Sequence, residues 1–285
     1  MSELEERIGS FTSFDGQELF YRVWYPLQDK KKEIFIGVHG ASVHSSNMIN
    51  PGVFFAKKGY AFFIFDRRGH GHNEKKNKGH VKNYKHFIYD IESFILFLKE
   101  KEKPDKIYLI DHSNGGSLAI IYGIKYPIKI NTIIVSNPSI KVVMKESKLF
   151  FTRLASRIIG TILPRIKIKH GFIKPEELVR DEVILKARLN DPLYVHKNSA
   201  RWVRDFFKFQ CYLEKNIEKL SVPTLFLLGS NDKIVNYNHT IKTFQKIERK
   251  NIMTLTVYKE HLHELFNESE ERRLKIFRDI ERFIG

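Results

Sequence analysis

Asp111-His112-Ser113-Asn114-Gly115-Gly116 is the hexapeptide from which the rest of this sequence can be interpreted. It follows an apolar run at residues 106–110 and precedes a run at residues 117–123 that is typical of a helix. This order predicts a strand, a sharp Ser-x-Gly turn and a helix. On such a turn the hydroxyl of Ser113 stands clear of the backbone, with the free N–H groups of a helix N-terminus just behind it. The hexapeptide therefore predicts a nucleophilic serine, although Ser-x-Gly-Gly is also common in ordinary turns.

The chain has the size and composition of an ordinary globular protein. Its 285 residues, 42% of them hydrophobic, can bury one large core or a core with an inserted subdomain. The single cysteine, Cys211, excludes an internal disulfide bond and a site built from several thiolates. The charged N-terminus lacks the apolar segment of a signal peptide, and no apolar run approaches the roughly 20 residues that span a bilayer. We therefore expect a cytoplasmic protein.

The net charge of +16 is high for a protein of this size. It allows attraction to anionic lipid, nucleic acid or an anionic substrate, and it is equally compatible with lysines spread over a solvated surface. The sequence has no pattern of a zinc finger, an RNA-recognition motif or a basic region with heptads. We therefore expect no nucleic-acid partner.

Short apolar runs alternate with helix-like stretches along most of the chain, after a hairpin predicted at residues 11–26. Buried strands are predicted at residues 33–38, 60–65, 106–110, 131–136, 222–229 and 252–258. Helices are predicted at residues 47–58, 84–102, 117–123, 237–248 and 269–283. Apolar strands that alternate with helices are typical of the α/β class, a mostly parallel sheet covered by helices on both faces.

This alternation stops after Asn137-Pro138 and resumes only after about Leu213. The intervening segment has helical patches but no convincing core strand. The sequence therefore predicts an α/β core made of residues 1–137 and 214–285. Residues 138–213 are predicted to be a helical cap, or lid, inserted over the carboxyl edge of the sheet.

Residues suited to acyl transfer follow several of the predicted strands, and the carboxyl ends of parallel strands meet at one edge of a sheet. Ser113, Asp232 and His263 each follow a different strand, in the chain order Ser, Asp, His. A serine nucleophile needs a base, and the base needs an acid that orients it. His261 is a second candidate for the base, and Glu260 is a second candidate for the acid.

With these pieces in order, the sequence resembles the α/β-hydrolases of the monoglyceride lipase and lysophospholipase type, which are grouped with serine aminopeptidase-like hydrolases. The resemblance covers nearly the whole chain, and it is specific because six individually weak motifs occur in the right order. The motifs are His39-Gly40, Asp66-Arg67-Arg68-Gly69-His70-Gly71, His112-Ser113-Asn114-Gly115-Gly116, Asn190-Asp191-Pro192-Leu193, Gly229-Ser230-Asn231-Asp232-Lys233-Ile234-Val235 and His263-Glu264-Leu265. The resemblance implies an α/β-hydrolase fold and a reaction without a cofactor.

The resemblance also implies a role for each of five residues. Ser113 is implied as the nucleophile and Asp232 as the acid that orients the imidazole. His263 is implied as the general base and then acid, because the His-Glu-Leu signature falls on it and not on the other candidate. The backbone N–H groups of Ala41 and Asn114 are implied as the oxyanion hole.

Two positions depart from the family pattern. Asp111 stands where the family usually has Gly, because the chain is crowded on both sides of the turn. An acid there could force the turn open or place a negative charge near the oxyanion, which would oppose catalysis unless the side chain points away or is paired. Arg67 stands where the family has His, in a loop that we interpret as structural support.

Two further patterns bear on possible ligands. The turn Gly69-His70-Gly71-His72 lacks a third ligand at suitable spacing, so we predict no metal site there. Residues 141–170 are rich in Lys and Arg, and Phe150, Leu154 and Ile158 lie at helical spacing among them. This stripe predicts a cap helix that packs its apolar side on the core, that rests on an anionic membrane surface, or that does both.

Together these features predict a serine carboxylester hydrolase that forms an acyl-enzyme with a small-molecule or lipid-like ester, such as a monoacylglycerol or a lysophospholipid. An acyltransferase, a thioesterase or a peptidase would use the same residues. The alternative from another class is a catalytically impaired binding protein, which Asp111 favours and the retention of Ser113, Asp232 and His263 opposes. The expected location is the cytoplasm, with peripheral contact to an anionic membrane through the basic cap.

Overall fold

The computed structural model describes residues 4–73, 77–169 and 175–285. The strands are β1 (Leu4–Thr12), β2 (Glu18–Pro26), β3 (Glu33–Val38), β4 (Ala61–Phe65), β5 (Lys106–His112), β6 (Thr132–Ser136), β7 (Lys167–Lys169), β8 (Lys197–Ser199), β9 (Thr224–Gly229) and β10 (Met253–Tyr258). The helices are α1 (Ile49–Lys57), α2 (Lys85–Glu102), α3 (Asn114–Lys125), α4 (Glu146–Ile162), α5 (Glu182–Leu189), α6 (Ala200–Asn216), α7 (Tyr237–Phe244) and α8 (Glu270–Ile284).

The main sheet of the described residues has the strand order β1-β2-β4-β3-β5-β6-β9-β10. The pairs β1–β2 and β2–β4 are antiparallel, and the other pairs are parallel. This arrangement confirms the predicted, mostly parallel sheet. The parallel strands all end at the same edge, so the loops that follow β3, β5, β9 and β10 come together there.

Both faces of the sheet are covered, as the apolar strands predicted. In β3, Ile34 and Ile36 pack into a core shared with α2 and α3, whereas Phe35 packs into a second core shared with α1 and α8. A strand buried on both faces gains hydrophobic contacts at every position, which explains the continuous apolar runs of the central strands.

The largest differences from the sequence prediction are at two element boundaries. The first strand begins at Leu4 rather than at residue 11, because β1 is a mostly exposed edge strand whose charged residues conceal its period. The helix expected at residues 237–248 ends at Phe244.

Between β6 and β9 the described residues add no strand to the main sheet. They form α4, α5, α6 and a small antiparallel pair, β7 and β8, which the sequence did not predict. Residues 170–174 of the predicted cap lie outside the described residues.

The apolar stripe of α4 does not pack on the core. Phe150, Leu154 and Ile158 are exposed, and the helix instead turns Ser156 and Gly160 toward its neighbour. A Cβ at position 160 would lie 2.6 Å from the carbonyl oxygen of Ala200, so only Gly permits this close approach to α6. The expectation that the stripe packs on the core was therefore wrong, and it leaves an apolar surface facing solvent.

Candidate active site

Ser113 occupies the sharp turn between β5 and α3. Its backbone has φ 55° and ψ −119°, a strained conformation for any residue other than Gly. The helix that follows passes so close to β3 that a Cβ at position 115 would lie 2.0 Å from the carbonyl oxygen of Val38. Gly115 is therefore required for α3 to begin directly behind the serine, as the sequence predicted.

A chain of hydrogen bonds joins the three residues named from the sequence. Ser113 Oγ lies 2.9 Å from His263 Nε2, and His263 Nδ1 lies 2.7 Å from Asp232 Oδ2. The other oxygen of Asp232 accepts the backbone N–H groups of Ile234 (2.7 Å) and Val235 (2.9 Å). The carboxylate is thereby fixed in place and keeps the proton of the imidazole on Nδ1, which leaves Nε2 free to accept a proton from the serine.

The structure places the two rival residues outside this chain. His261 bonds through Nδ1 to the carbonyl oxygen of Lys259 at 2.9 Å. Glu260 has an exposed side chain, and its backbone N–H donates to Ser230 Oγ at 2.9 Å. The chain of hydrogen bonds from Ser113 therefore contains His263 and Asp232, and it contains neither His261 nor Glu260.

Ala41 and Asn114 line the same cavity as Ser113, a space of about 160 Å³. Asn114 is the first residue of α3, where a backbone N–H has no acceptor within its own helix. Both residues are thus placed beside the serine, one on the loop after β3 and one on the helix.

Asp111 leaves the turn intact. Its side chain is fully buried in β5, and its Oδ1 accepts the backbone N–H of Val38. Burial raises the pKa of Asp111 well above its ordinary value, although the positive charge of Arg67 opposes this shift. The concern that an acid at this position forces the turn open is therefore not supported by the geometry around Ser113.

Two polar residues next to the site were not identified from the sequence. The side chain of Asn137 accepts the N–H of Gly229 at 2.9 Å and donates to the carbonyl oxygen of His263 at 2.7 Å. Ser139 Oγ lies 3.1 Å from Ser113 Oγ. The one available signal was their place directly after β6, since residues at strand ends line sites in parallel sheets.

The serine aminopeptidase, S33, family matches residues 29–270 of this chain. The chain belongs to this family. Phospholipase YtpA of Bacillus subtilis is 28% identical over 254 residues, which are 87% of this chain and 94% of that protein. The human monoglyceride lipase is 25% identical over 282 residues, covering 95% of this chain and 88% of that one.

A solved structure shows the same fold. It is a soluble variant of the Saccharomyces cerevisiae monoglyceride lipase in complex with a substrate analog, with a TM-score of 0.85 and 20% identity, and the match covers 100% of this chain and 96% of that one. This S33-family chain therefore has the α/β-hydrolase fold. It is an α/β-hydrolase of the esterase and lipase type.

A buried ion pair lies beside the imidazole of His263 in this S33-family chain. Arg188 of α5 donates from Nη2 to Glu264 Oε2 at 2.6 Å, and Glu264 also accepts from Asn267 at 2.9 Å. Burial alone would raise the pKa of Glu264, but the charge of Arg188 and these bonds lower it to about 2. Burial and the nearby His263 lower the pKa of His112 to about 3, so that ring is neutral at physiological pH.

The structure brings two potential ligands from outside the Gly-His turn close to His72. Ligand atoms of His44, Asp66 and His72 lie within 4.8 Å of one another, which the sequence spacing did not reveal. The carboxylate of Asp66 already accepts hydrogen bonds from the backbone N–H of Ser45 at 2.7 Å, from the backbone N–H of His72 at 2.9 Å and from Nδ1 of the His72 ring at 2.8 Å. These bonds join the loops after β3 and β4, and they account for the cluster without an ion.

Two further cavities adjoin the one that contains Ser113. A mainly apolar cavity of about 240 Å³ shares four lining residues with it, Val142, Trp202, Phe206 and Ile234. A cavity of about 420 Å³ on another side shares Val43, Arg188 and Tyr194, and its lining includes Ser46, Asn47, Asn50 and Asp191. The serine therefore lies between a strongly apolar space and a second space that also offers polar side chains.

Proposed function

We propose that this chain is a serine hydrolase of lipid-like carboxylic monoesters, with Ser113 as nucleophile, His263 as base and acid, and Asp232 as the orienting acid. The hydrogen-bond chain from Ser113 through His263 to Asp232 is the observation that carries this proposal. The backbone N–H groups of Ala41 and Asn114 form the oxyanion hole.

The reaction follows from this geometry. Ser113 Oγ attacks the ester carbonyl carbon while its proton passes to His263 Nε2, and the carbonyl oxygen becomes the oxyanion. The imidazolium then gives the proton to the leaving alcohol, which leaves an acyl-enzyme on Ser113. A water molecule repeats the attack with the same base and releases the acid, so no cofactor is needed.

The three cavities orient the substrate. The acyl chain occupies the apolar cavity lined by Trp202 and Phe206, and the alcohol occupies the cavity that offers Asp191 and other polar side chains. Residues 138–213 act as a cap, because they supply most of the lining of the apolar cavity and part of the lining of the other two.

Lipid monoesters fit a site with one strongly apolar cavity and a second cavity that offers polar side chains. The human relative is named as a monoglyceride lipase and the Bacillus relative as a phospholipase. We therefore propose monoacylglycerols or lysophospholipids as the substrate class.

The exposed face of α4 is the proposed membrane contact. Phe150 and Phe151 are 64% and 65% exposed, and Arg157 lies exposed on the same helix. Apolar side chains with basic neighbours are typical of helices that rest on anionic lipid. No helix of the described ranges is long and apolar enough to cross a membrane.

The test is hydrolysis of a p-nitrophenyl ester series, from acetate to palmitate, by the wild type and by Ser113→Ala. We expect activity that peaks at one chain length and disappears in the variant. Monoacylglycerols and lysophospholipids of that chain length are assayed next. Labelling by a fluorophosphonate probe gives an independent measure of the activated serine.

A wild type that is inert on every ester and unlabelled by the probe would show a binding protein with the hydrolase fold. A labelled protein that is inert on esters but active on thioesters or peptides would assign the same residues to another acyl-transfer reaction.

A further inference from the structure

Arg67 connects the two parts of the proposed oxyanion hole. Its side chain is fully buried, and its guanidinium lies 4.9 Å from the ring centroid of Phe87. Nη2 donates to the carbonyl oxygen of Gly40 at 2.6 Å, and Nη1 donates to Asn114 Oδ1 at 2.6 Å. One side chain from the loop after β4 thereby holds the loop after β3 and the start of α3.

The bond to Gly40 acts on a proposed oxyanion donor. The carbonyl of Gly40 and the N–H of Ala41 belong to the same planar peptide group, so fixing one fixes the direction of the other. His39 Nδ1 also donates to this oxygen at 2.8 Å, while the backbone N–H of Arg67 donates to His39 Nε2 at 2.9 Å. Hydrogen bonds to a carbonyl polarise the peptide and strengthen its N–H as a donor.

The bond to Asn114 acts on the other donor. Asn114 Nδ2 donates to Tyr84 Oη at 2.6 Å while Oδ1 accepts from Arg67, so the amide is held at both ends. Because Asn114 begins α3, holding its side chain limits movement of its backbone N–H.

We propose that Arg67 is the positioning residue of the oxyanion hole, aligning the peptide N–H of Ala41 and that of Asn114 through its two hydrogen bonds. This inference rests on the proposed function, since it deepens the same site. It gives a reason for Arg at a position where the family pattern given above has His: a single imidazole cannot reach both acceptors at once.

Electrostatics favour the same role. Burial lowers the pKa of Arg67 to about 10, so the guanidinium remains charged at neutral pH. Tyr84, Asp111 and Asp90 oppose this lowering of the pKa. The positive charge of Arg67 also lowers the pKa of Asp111, but burial of that carboxyl outweighs this effect.

The test compares Arg67→Met with Arg68→Met as a matched control. Arg68 is the adjacent buried arginine, and it pairs with Asp90 and Asp15 rather than with the loop residues of the site. Four quantities are measured for each variant: kcat, KM, the thermal midpoint, and the inhibition constant of an alkyl trifluoromethyl ketone. The ketone inhibits by forming an adduct with the enzyme. Ser113 Oγ adds to the ketone carbon, the serine proton passes to His263, and the former carbonyl oxygen occupies the oxyanion hole.

For Arg67→Met we expect kcat to fall about 10- to 100-fold with KM nearly unchanged, less than the loss of a direct donor. The inhibition constant should rise by the same factor, because the ketone adduct and the transition state use the same N–H groups. Arg68→Met should lower the thermal midpoint without a fall in kcat at unchanged KM. Arg67→Lys should recover part of the loss, since one ammonium cannot bridge both acceptors.

The outcomes separate the two proposals. A wild type without ester hydrolysis overturns the proposed function and this inference with it. An active wild type whose Arg67 and Arg68 variants change kcat and ketone affinity alike would overturn only the positioning role. Full recovery by Arg67→Lys would also overturn it, because charge alone would then suffice. If Arg67→Met does not fold, the lysine variant and the wild type still decide the question.

Discussion

Oδ1 of Asp111 accepts the backbone N–H of Val38, the residue directly opposite it across β3 and β5. This bond explains how an acid can occupy a position where the family pattern has Gly. The carboxyl group is turned into the sheet and Ser113 keeps its strained turn. Among the described residues its second oxygen, Oδ2, is buried without a hydrogen-bond partner.

Asp111→Asn should make the protein more stable at neutral pH. Burial raises the folded pKa of Asp111 well above the unfolded value, so its unfavourable effect is absent below the unfolded pKa and develops as pH rises through the folded pKa. Asn keeps the acceptor for Val38 and has no charge. We expect a gain on the order of 1 kcal/mol at pH 8 that shrinks toward pH 4.5, measured by urea unfolding.

Asp15→Asn is the matched control for this effect. Arg68 lowers the pKa of Asp15, so its stabilising effect is present above the unfolded pKa, and removing its charge should cost stability at neutral pH. An Asp111→Asn gain that is the same at pH 4.5 and pH 8 would contradict a raised folded pKa.

Most core elements could be predicted because their residues are buried on both faces or along one helical stripe. The β3 run and the α2 spacing are of this kind. The edge strand β1 starts earlier than predicted, since exposure removes the apolar signal on which its detection depends. The exposed stripe of α4 shows the opposite limit: apolar periodicity indicates which side of a helix is apolar, not what covers it.

The site could be predicted only as far as chain order carries information. Ser113, Asp232 and His263 follow strand ends in a recognisable order, so their proximity could be expected. The contacts of Arg67, Asn137 and Arg188 could not, because each depends on how side chains from distant segments meet.

Asn137→Ala should impair catalysis and stability together. Asn137 has φ 42°, which Asn tolerates better than Ala, and its side chain bonds the loops that carry Asp232 and His263. We expect a loss of about 1–3 kcal/mol in the free energy of unfolding and a lower kcat. Asn137→Gly separates the causes, because Gly accepts this φ but makes no side-chain bond. If the Gly variant matches the wild type in kcat, the bonds do not position the imidazole.

Breaking the buried pair of Arg188 and Glu264 should be costly. Both side chains are buried, so Arg188→Met or Glu264→Gln leaves one charge without its partner, at about 3–5 kcal/mol. The double variant should cost much less than the sum of the two single changes, as measured by urea unfolding. Additive losses would show that the pair is not coupled.

The same pair gives a pH dependence. The folded pKa of Glu264, about 2, lies below the unfolded value, so its contribution is complete above the unfolded pKa and is lost as pH falls toward 2. The wild type should therefore lose stability more steeply than Glu264→Gln between pH 5 and pH 2, to be measured by thermal unfolding. Parallel curves for the two proteins would contradict this assignment.

Replacing Phe150 and Phe151 together by Ser should weaken binding to anionic vesicles. Each ring is exposed in solution, so insertion into lipid would bury apolar area at no cost to the protein core. At about 25 cal/mol per Å² of apolar surface buried, we expect the double variant to lose 10- to 100-fold in vesicle affinity. Ile128→Ser is the matched control, since Ile128 is 93% exposed but lies on the loop after α3. Vesicle co-sedimentation at low and high salt gives the measurement, and hydrolysis of a soluble short-chain ester should be unchanged. Equal vesicle binding by both variants would place the lipid contact elsewhere, because α4 would then contribute no more than an isolated exposed residue.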